Sequence, residues 1–276
     1  MTPYVFTYST LDIVFPLSAL PLGLSDARLT LGPTATLLLA GGPLALYSVF
    51  IFLVWPTLYA PARALRLASR APAPEPRWAL PHHAALFAYS ALACACAAWH
   101  VAAVDGASLT RIACAPVPAW LRLVSITFTA SKVWEWLDTA VHFARGQSRG
   151  EIGFLHLYHH ATTLLLFLCV MNFPGAEKSG MLLNGFVHTL MYYHYAFRLP
   201  RWARPLITGA QIAQLAAVTA LWAATPGLCG GAPAALARDA PATFATPFLL
   251  VPVYLAFFLE FFFRSYCARP AKKEKQ

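Results

Sequence analysis

The sequence predicts an all-α integral membrane protein with seven transmembrane helices, its N-terminus lumenal and its C-terminus cytosolic. Three observations carry this. The 276 residues are 59% hydrophobic and only 11% charged, where a soluble domain carries about a quarter charged residues. Seven apolar stretches can cross a hydrocarbon core of roughly 30 Å, which takes about 20 helical residues. Lysine and arginine fall almost entirely on one side of those stretches. A polytopic bundle of this length is one unit, so residues 1–276 are read as a single membrane domain. The net charge of +9 invites a nucleic-acid reading, but the hydropathy excludes it, and membrane lipid is the expected surrounding.

The stretches lie near 34–59, 84–105, 119–142, 152–171, 180–198, 203–224 and 243–263. The first holds Gly41-Gly42-Pro43 and the last Pro247 and Pro252, so kinks are expected there. Only NFPGAEKSG separates the fourth from the fifth, which makes them an antiparallel pair. Arg63, Arg66, Arg70 and Arg77 follow the first stretch, Arg145 and Arg149 the third, and Arg198, Arg201 and Arg204 the fifth. Arg264, Arg269, Lys272, Lys273 and Lys275 close the chain on the same side, against only Arg28, Arg111, Lys178 and Arg238 opposite. The positive-inside rule assigns the basic side to the cytosol. The first thirty residues lack a basic n-region and a small-residue cleavage site, so they read as a short interfacial helix rather than a signal peptide.

Of the six cysteines, Cys114 and Cys229 fall in loops predicted to be lumenal, where an oxidising compartment allows pairing. A Cys114–Cys229 disulfide is expected, with two free thiols as the alternative.

Polar side chains interrupt four of the stretches. The third carries Lys132, Glu135 and Asp138 at steps of three, then Thr139. The fourth opens with HLYHH, setting His156, His159 and His160 on one helix face. The fifth places Asn184, His188 and Tyr195 on one stripe, with Met191 and Tyr192 beside it; the sixth spaces Thr208, Gln211 and Gln214 by three. Given the topology, all four sets lie in the cytosolic half of the membrane. Ionisable groups at that depth mark a functional site by default. Blander readings stand beside it: an ion cluster of Lys132, Glu135 and Asp138, interhelical hydrogen bonds from Gln211 and Gln214, and an aromatic belt at Tyr192–Tyr195. His82 and His83 read as solvated loop residues, His100 and His142 as interfacial. Four imidazoles at one depth are not explained by packing.

Such imidazoles can ligate metal, move protons or act as nucleophiles. A histidine-box di-iron desaturase or hydroxylase is the alternative function, but such sites draw on several boxes. This chain has nine histidines and one box. A zinc site of His156, His160 and Asp138 is the weaker metal reading. No lysine for a retinal Schiff base stands in the seventh stretch, and the polar groups form no path across the membrane, which argues against a receptor or transporter.

At this point the motifs identify a resemblance. KVWEWLDT matches KxxExxDT, HLYHH matches HxxHH, NGFVHTLMYYHY matches NxxxHxxMYxYY and TGAQIAQ matches TxxQxxQ. In this order, from Lys132 to Gln214, they resemble the ELO family of very-long-chain fatty acid elongases. The resemblance implies a seven-helix enzyme of the endoplasmic reticulum membrane with its site open to the cytosol. It implies condensation of a long-chain acyl-CoA with malonyl-CoA to 3-oxoacyl-CoA, carbon dioxide and CoA, through an acyl-imidazole, with no cofactor and no metal. By motif position His159 is the nucleophile and His188 faces it, while His156 and His160 orient it or exchange protons. Lys132, Asn184 and Gln211 stabilise oxyanions, and Asp138 fixes a histidine tautomer or neutralises Lys132. Glu135, Tyr192, His194, Tyr195 and Gln214 complete the substrate site. Charge placement alone adds Arg145, Arg149, Arg198, Arg201 and Arg204 as a ring for CoA phosphates, unless they serve only to set topology. Two departures stand out. His194 replaces the family's usual tyrosine, and Glu274 interrupts the dilysine spacing of a retrieval signal. A homodimer and association with other elongation-cycle enzymes are compatible with the resemblance.

Overall fold

The computed structural model describes residues 13–16, 28–31, 33–69, 73–171, 175–230, 237–238 and 241–267. Apart from one two-stranded ribbon, the regular structure among these residues is helical. The ribbon pairs Ile13–Pro16 antiparallel with Arg28–Leu31, where the sequence suggested an interfacial helix; the β-branched run Ile13-Val14 ending at Pro16 favours a strand over a helix. The remainder of that stretch lies outside the described residues, as do Arg70 and the basic tail after Cys267.

Helix α1, Pro33–Val49, passes through a π-helical turn, Phe50–Val54, into α2, Trp55–Leu58. The irregularity sits not at Gly41-Gly42-Pro43 but one turn before Pro56, whose ring would strike the Phe52 carbonyl of a regular helix. The amphipathic α3, Ala60–Ser69, buries no residue. Helix α4, Ala79–Ala103, begins five residues before the predicted 84 and so takes in His82 and His83. The short α5, Leu109–Cys114, opens where the Ser108 side chain accepts from Arg111 N, a conventional N-cap.

The third stretch is not one continuous helix. It steps at Glu135 from α6, Ala119–Trp134, into α7, Trp136–Ala144. A single turn α8, Arg149–Ile152, carries a capping box between Ser148 and Glu151. Arg66 pairs with the same carboxylate at 2.6 Å. These bonds hold the exposed Glu151 well below the usual carboxylate range. Then come α9, Phe154–Val170, α10, Ala176–Phe197, α11, Ala203–Cys229, and α12, Pro241–Phe262, which ends in a π turn, Phe263–Cys267.

Among the described residues, four helical segments are long and apolar enough to cross a membrane: Gly41–Leu58, Ala79–Ala103, Ala203–Cys229 and Phe244–Cys267. The protein is a multi-pass membrane protein. Helices α6, α7 and α10 carry ionisable residues inside, Lys132, Asp138, Glu177 and Lys178 among them, and bury them against neighbours, which lowers their hydropathy without exposing charge to lipid.

Apolar clusters join the helices. Leu166 and Val170 of α9 meet Leu215, Val218 and Trp222 of α11 and Val251 and Tyr254 of α12. Tyr47, Ile51 and Trp55 pack on Trp136 and Phe143 of α7. Ala93, Leu121, Phe128, Phe167 and Met181 tie α4 and α6 to α9 and α10. Helix α10 lies against α4 with Gly185 at the closest approach: a Cβ there would stand 3.2 Å from Cys94 N and Ser90 O. Gly185→Val is expected to cost about 1–3 kcal/mol by overpacking, read as a lower unfolding midpoint in detergent.

At the end of the bundle opposite the histidines, Lys178 Nζ reaches Asp105 Oδ2 at 2.7 Å and the Arg111 carbonyl at 2.9 Å. Arg122 pairs with Glu177 at 2.7 Å. There the structure joins Cys114 and Cys229 in a disulfide, their Cα atoms 5.3 Å apart. The bond fastens α5 to the last turn of α11.

Candidate active site

Lys132 lies near the end of α6 with its ammonium wholly inside the protein, 1% exposed. A buried charge persists only if paired, and Nζ donates to Glu135 Oε1 at 2.6 Å and Asn184 Oδ1 at 3.2 Å. The ring of Phe128 lies 4.3 Å away. His188 Nδ1 stands 3.4 Å from the same Glu135 oxygen, so a chain Lys132–Glu135–His188 runs from the α6–α7 step to α10.

The ion-pair partner of Lys132 is Glu135, and the hydrogen bonds of Asp138 go elsewhere. Its Oδ1 accepts from His82 Nε2 at 2.8 Å and its Oδ2 from the Tyr192 hydroxyl at 2.7 Å. The imidazole it orients is therefore not one of the box. His82 and His83 are buried, not solvated. Tyr192 is 0% exposed, an interior hydrogen-bond donor rather than a belt residue.

Thr139 completes the motif. Its Oγ1 bonds His156 Nε2 at 2.9 Å and the Tyr47 hydroxyl at 2.8 Å. Tyr47 escaped the sequence reading, since one tyrosine in an apolar span carries no pattern. His142 also belongs here: its ring lies 5.0 Å from that of His156, and its Nδ1 is 2.6 Å from Gln147 Oε1. The rings of His156 and His160, one turn apart, lie tilted at 33° with centroids 4.2 Å apart. The His160 carbonyl accepts from Trp136 Nε1 at 3.0 Å. The His159 ring lies 5.6 Å from that of His160, 5.0 Å from Tyr254 and 6.2 Å from Phe258 of α12.

One cavity of about 680 Å³ lies against this network; Tyr192, Thr139, Tyr47, His142 and the His82–His83 pair stand behind its lining. Its polar part is formed by Lys132, Glu135, Asp138, Asn184, His188 and the three box histidines. Gln211, Gln214, Met191, His194 and Tyr195 continue it, and Gln211 Nε2 lies 3.8 Å from the Met191 sulfur. The other part is apolar, walled by Leu166, Phe167, Val170, Leu215, Val218 and Trp222. A cavity this size, apolar with few convergent polar groups, is the usual form of a small-molecule site.

The ring of arginines is dispersed. Of the five, Arg204 lines the cavity; Arg201 is exposed and does not. Arg198 and Arg145 both engage Glu75, and Arg149 lies over the Phe52 ring at 4.7 Å. Beside Arg204 the cavity is lined by Arg264, which the sequence offered only as part of a basic tail, and by Tyr266, which it did not single out.

The box histidines gather no set of further metal donors among the described residues. There the group of three such donors that converges is His82, His83 and Asp138. The di-iron and His156–His160–Asp138 readings thus find no matching geometry.

Comparison with known proteins agrees with the motifs. Very long chain fatty acid elongase 2 of Mus musculus is 33% identical over 155 residues, 53% of this chain and 50% of that protein. Its Rattus norvegicus counterpart is 33% identical over 153 residues, 52% of each. Long chain fatty acid elongase 1 of Caenorhabditis elegans is 32% identical over 151 residues, 52% of this chain and 51% of that protein. The matches span about half the length of these relatives. The profile of the ELO: GNS1/SUR4 family covers residues 37–274, and the chain belongs to that family.

Proposed function

We propose that the protein is the condensing enzyme of fatty acid elongation, joining a long-chain acyl-CoA to malonyl-CoA. The observation that carries this is a single cavity with clustered imidazoles at one end and an apolar chamber at the other. A fatty acyl thioester has the same two-part character. With its chain beside Leu166, Val218 and Trp222, the carbonyl carbon arrives at His159. A ring nitrogen of His159 attacks it, the carbon–sulfur bond breaks and CoA leaves as the thiol. Malonyl-CoA then enters and loses carbon dioxide. Its enolate carbon bonds the acyl carbon, the carbon–nitrogen bond to His159 breaks, and the departing imidazolate takes one proton from solvent, which restores the imidazole. The product is 3-oxoacyl-CoA. Splitting one difficult step in two is the benefit of covalent catalysis, and it gives ping-pong kinetics.

The chain's own residues support each stage. Lys132 and Asn184 present a fixed ammonium and an amide where oxyanion charge develops. The carboxylate of Glu135 holds both Lys132 and His188 in place. The Tyr47–Thr139–His156 chain orients the box from behind. In this reading the chain crosses the endoplasmic reticulum membrane seven times, with α6, α7, α9 and α10 completing the spans. The His159 end faces the cytosol, where both CoA esters are found, and other enzymes of the elongation cycle take up the product.

The test is product analysis with purified protein, acyl-CoA and malonyl-CoA. Formation of 3-oxoacyl-CoA with matching carbon dioxide release supports the reading. Consumption of oxygen with a desaturated or hydroxylated product would replace it. The mouth gives a narrower prediction. Arg204→Ala is expected to raise KM for malonyl-CoA about tenfold, the loss of one charge-assisted phosphate contact, while Arg201→Ala leaves it nearly unchanged. Equal effects on both would remove Arg204 from the binding site.

A further inference from the structure

One nitrogen from each of His82 and His83 and one oxygen of Asp138 all lie within 4.8 Å of one another. The three residues are 6%, 5% and 4% exposed. They come from two helices distant in sequence, at the first turns of α4 and α7. Asp138 Oδ1 is 2.8 Å from His82 Nε2 and 3.7 Å from His83 Nδ1. Tetrahedral zinc with bonds of about 2.0–2.1 Å sets neighbouring donors about 3.3 Å apart. The two separations from the carboxylate bracket that value, and the two imidazole nitrogens lie within 4.8 Å of each other. His83 Nδ1, the atom facing Asp138, has no hydrogen-bond partner, so its lone pair can bind an ion without losing a bond. Asp138 Oδ2 already accepts from Tyr192 at 2.7 Å, the kind of outer bond that aims a ligating carboxylate.

We propose that His82 Nε2, His83 Nδ1 and Asp138 Oδ1 bind one divalent cation of the zinc class, with water in the fourth position. Two imidazoles and one carboxylate suit zinc or cobalt; magnesium and calcium require shells of oxygen. Binding replaces the His82 Nε2–H···Oδ1 bond, and that proton moves to His82 Nδ1, which has no hydrogen-bond partner, so the ligand stays a neutral imidazole. Asp138 also lines the large cavity, which places the ion against the wall of that site. The inference rests on this geometry and is independent of the reaction proposed above.

The test uses full-length protein in detergent, purified without a histidine tag, stripped by chelator and dialysed against zinc or cobalt. Wild type is expected to bind one equivalent more than His83→Asn, a substitution of similar polarity that leaves the His82–Asp138 bond intact. Equal binding by the two overturns the proposal. Should His83→Asn fail to fold, His83→Cys decides. With cobalt, a thiolate-to-cobalt charge-transfer band absent from wild type, whose Cys94, Cys96, Cys169 and Cys267 are free, places the ion at position 83. A spectrum without the band overturns the site.

Discussion

His159→Ala is expected to abolish acyl transfer, lowering turnover on the order of 10³-fold or more, the scale seen when a covalent nucleophile is removed. The neighbouring imidazoles make polar contacts that this one does not. His156 is held by Thr139 at 2.9 Å and His188 lies against Glu135 at 3.4 Å. His160 turns toward His156, with centroids 4.2 Å apart. His159 instead sits beside Tyr254 and Phe258, on the side of the cavity where the apolar wall begins. In the proposed reaction a thioester whose chain fills that chamber presents its carbonyl to His159. Mass spectrometry of the intact protein incubated with acyl-CoA alone should therefore show one acyl adduct, absent in His159→Ala. The same adduct in the variant would move the nucleophile to another histidine. No adduct in wild type, with turnover only when both substrates are present, would mean direct transfer without an acyl-imidazole.

Most of this site was legible in the sequence because polar residues in apolar helices are rare enough to stand out. Lys132, Glu135, Asp138, the box histidines, Asn184, His188 and Gln211 all reach one cavity, from four of the predicted stretches. The pairings inside it were not legible. Spacing of three puts Lys132 beside Glu135, but no one-dimensional pattern says that Asp138 turns to His82, fifty-six residues earlier. That histidine pair was misplaced for a local reason. The apolar stretch was started near 84, after Pro81 and the two histidines, yet proline is tolerated in the first turn of a helix, and α4 begins at Ala79. The step at Glu135 carries no glycine or proline to announce it. Tyr47 and Arg264 were missed because each depends on where a distant helix end comes to rest.

Lys132→Met is expected to destabilise the fold by about 3–5 kcal/mol, the cost of leaving one member of a buried ion pair alone. The carboxylate of Glu135 is 2% exposed and would keep only His188 as a partner. The double variant Lys132→Met/Glu135→Gln removes both charges at nearly constant volume. It is expected to recover most of the lost stability, since a buried pair contributes little net once its desolvation is counted. Turnover should not return with it. This contrast decides between two roles that the spacing alone left open. An ion cluster that only holds α6 and α7 to α10 would give back activity along with the unfolding midpoint. An ammonium that faces developing negative charge would not, because the thioether that replaces it offers nothing to an oxyanion however well the helices pack. A double variant as unstable as the single one would show that the pair is not where the stability of this step resides.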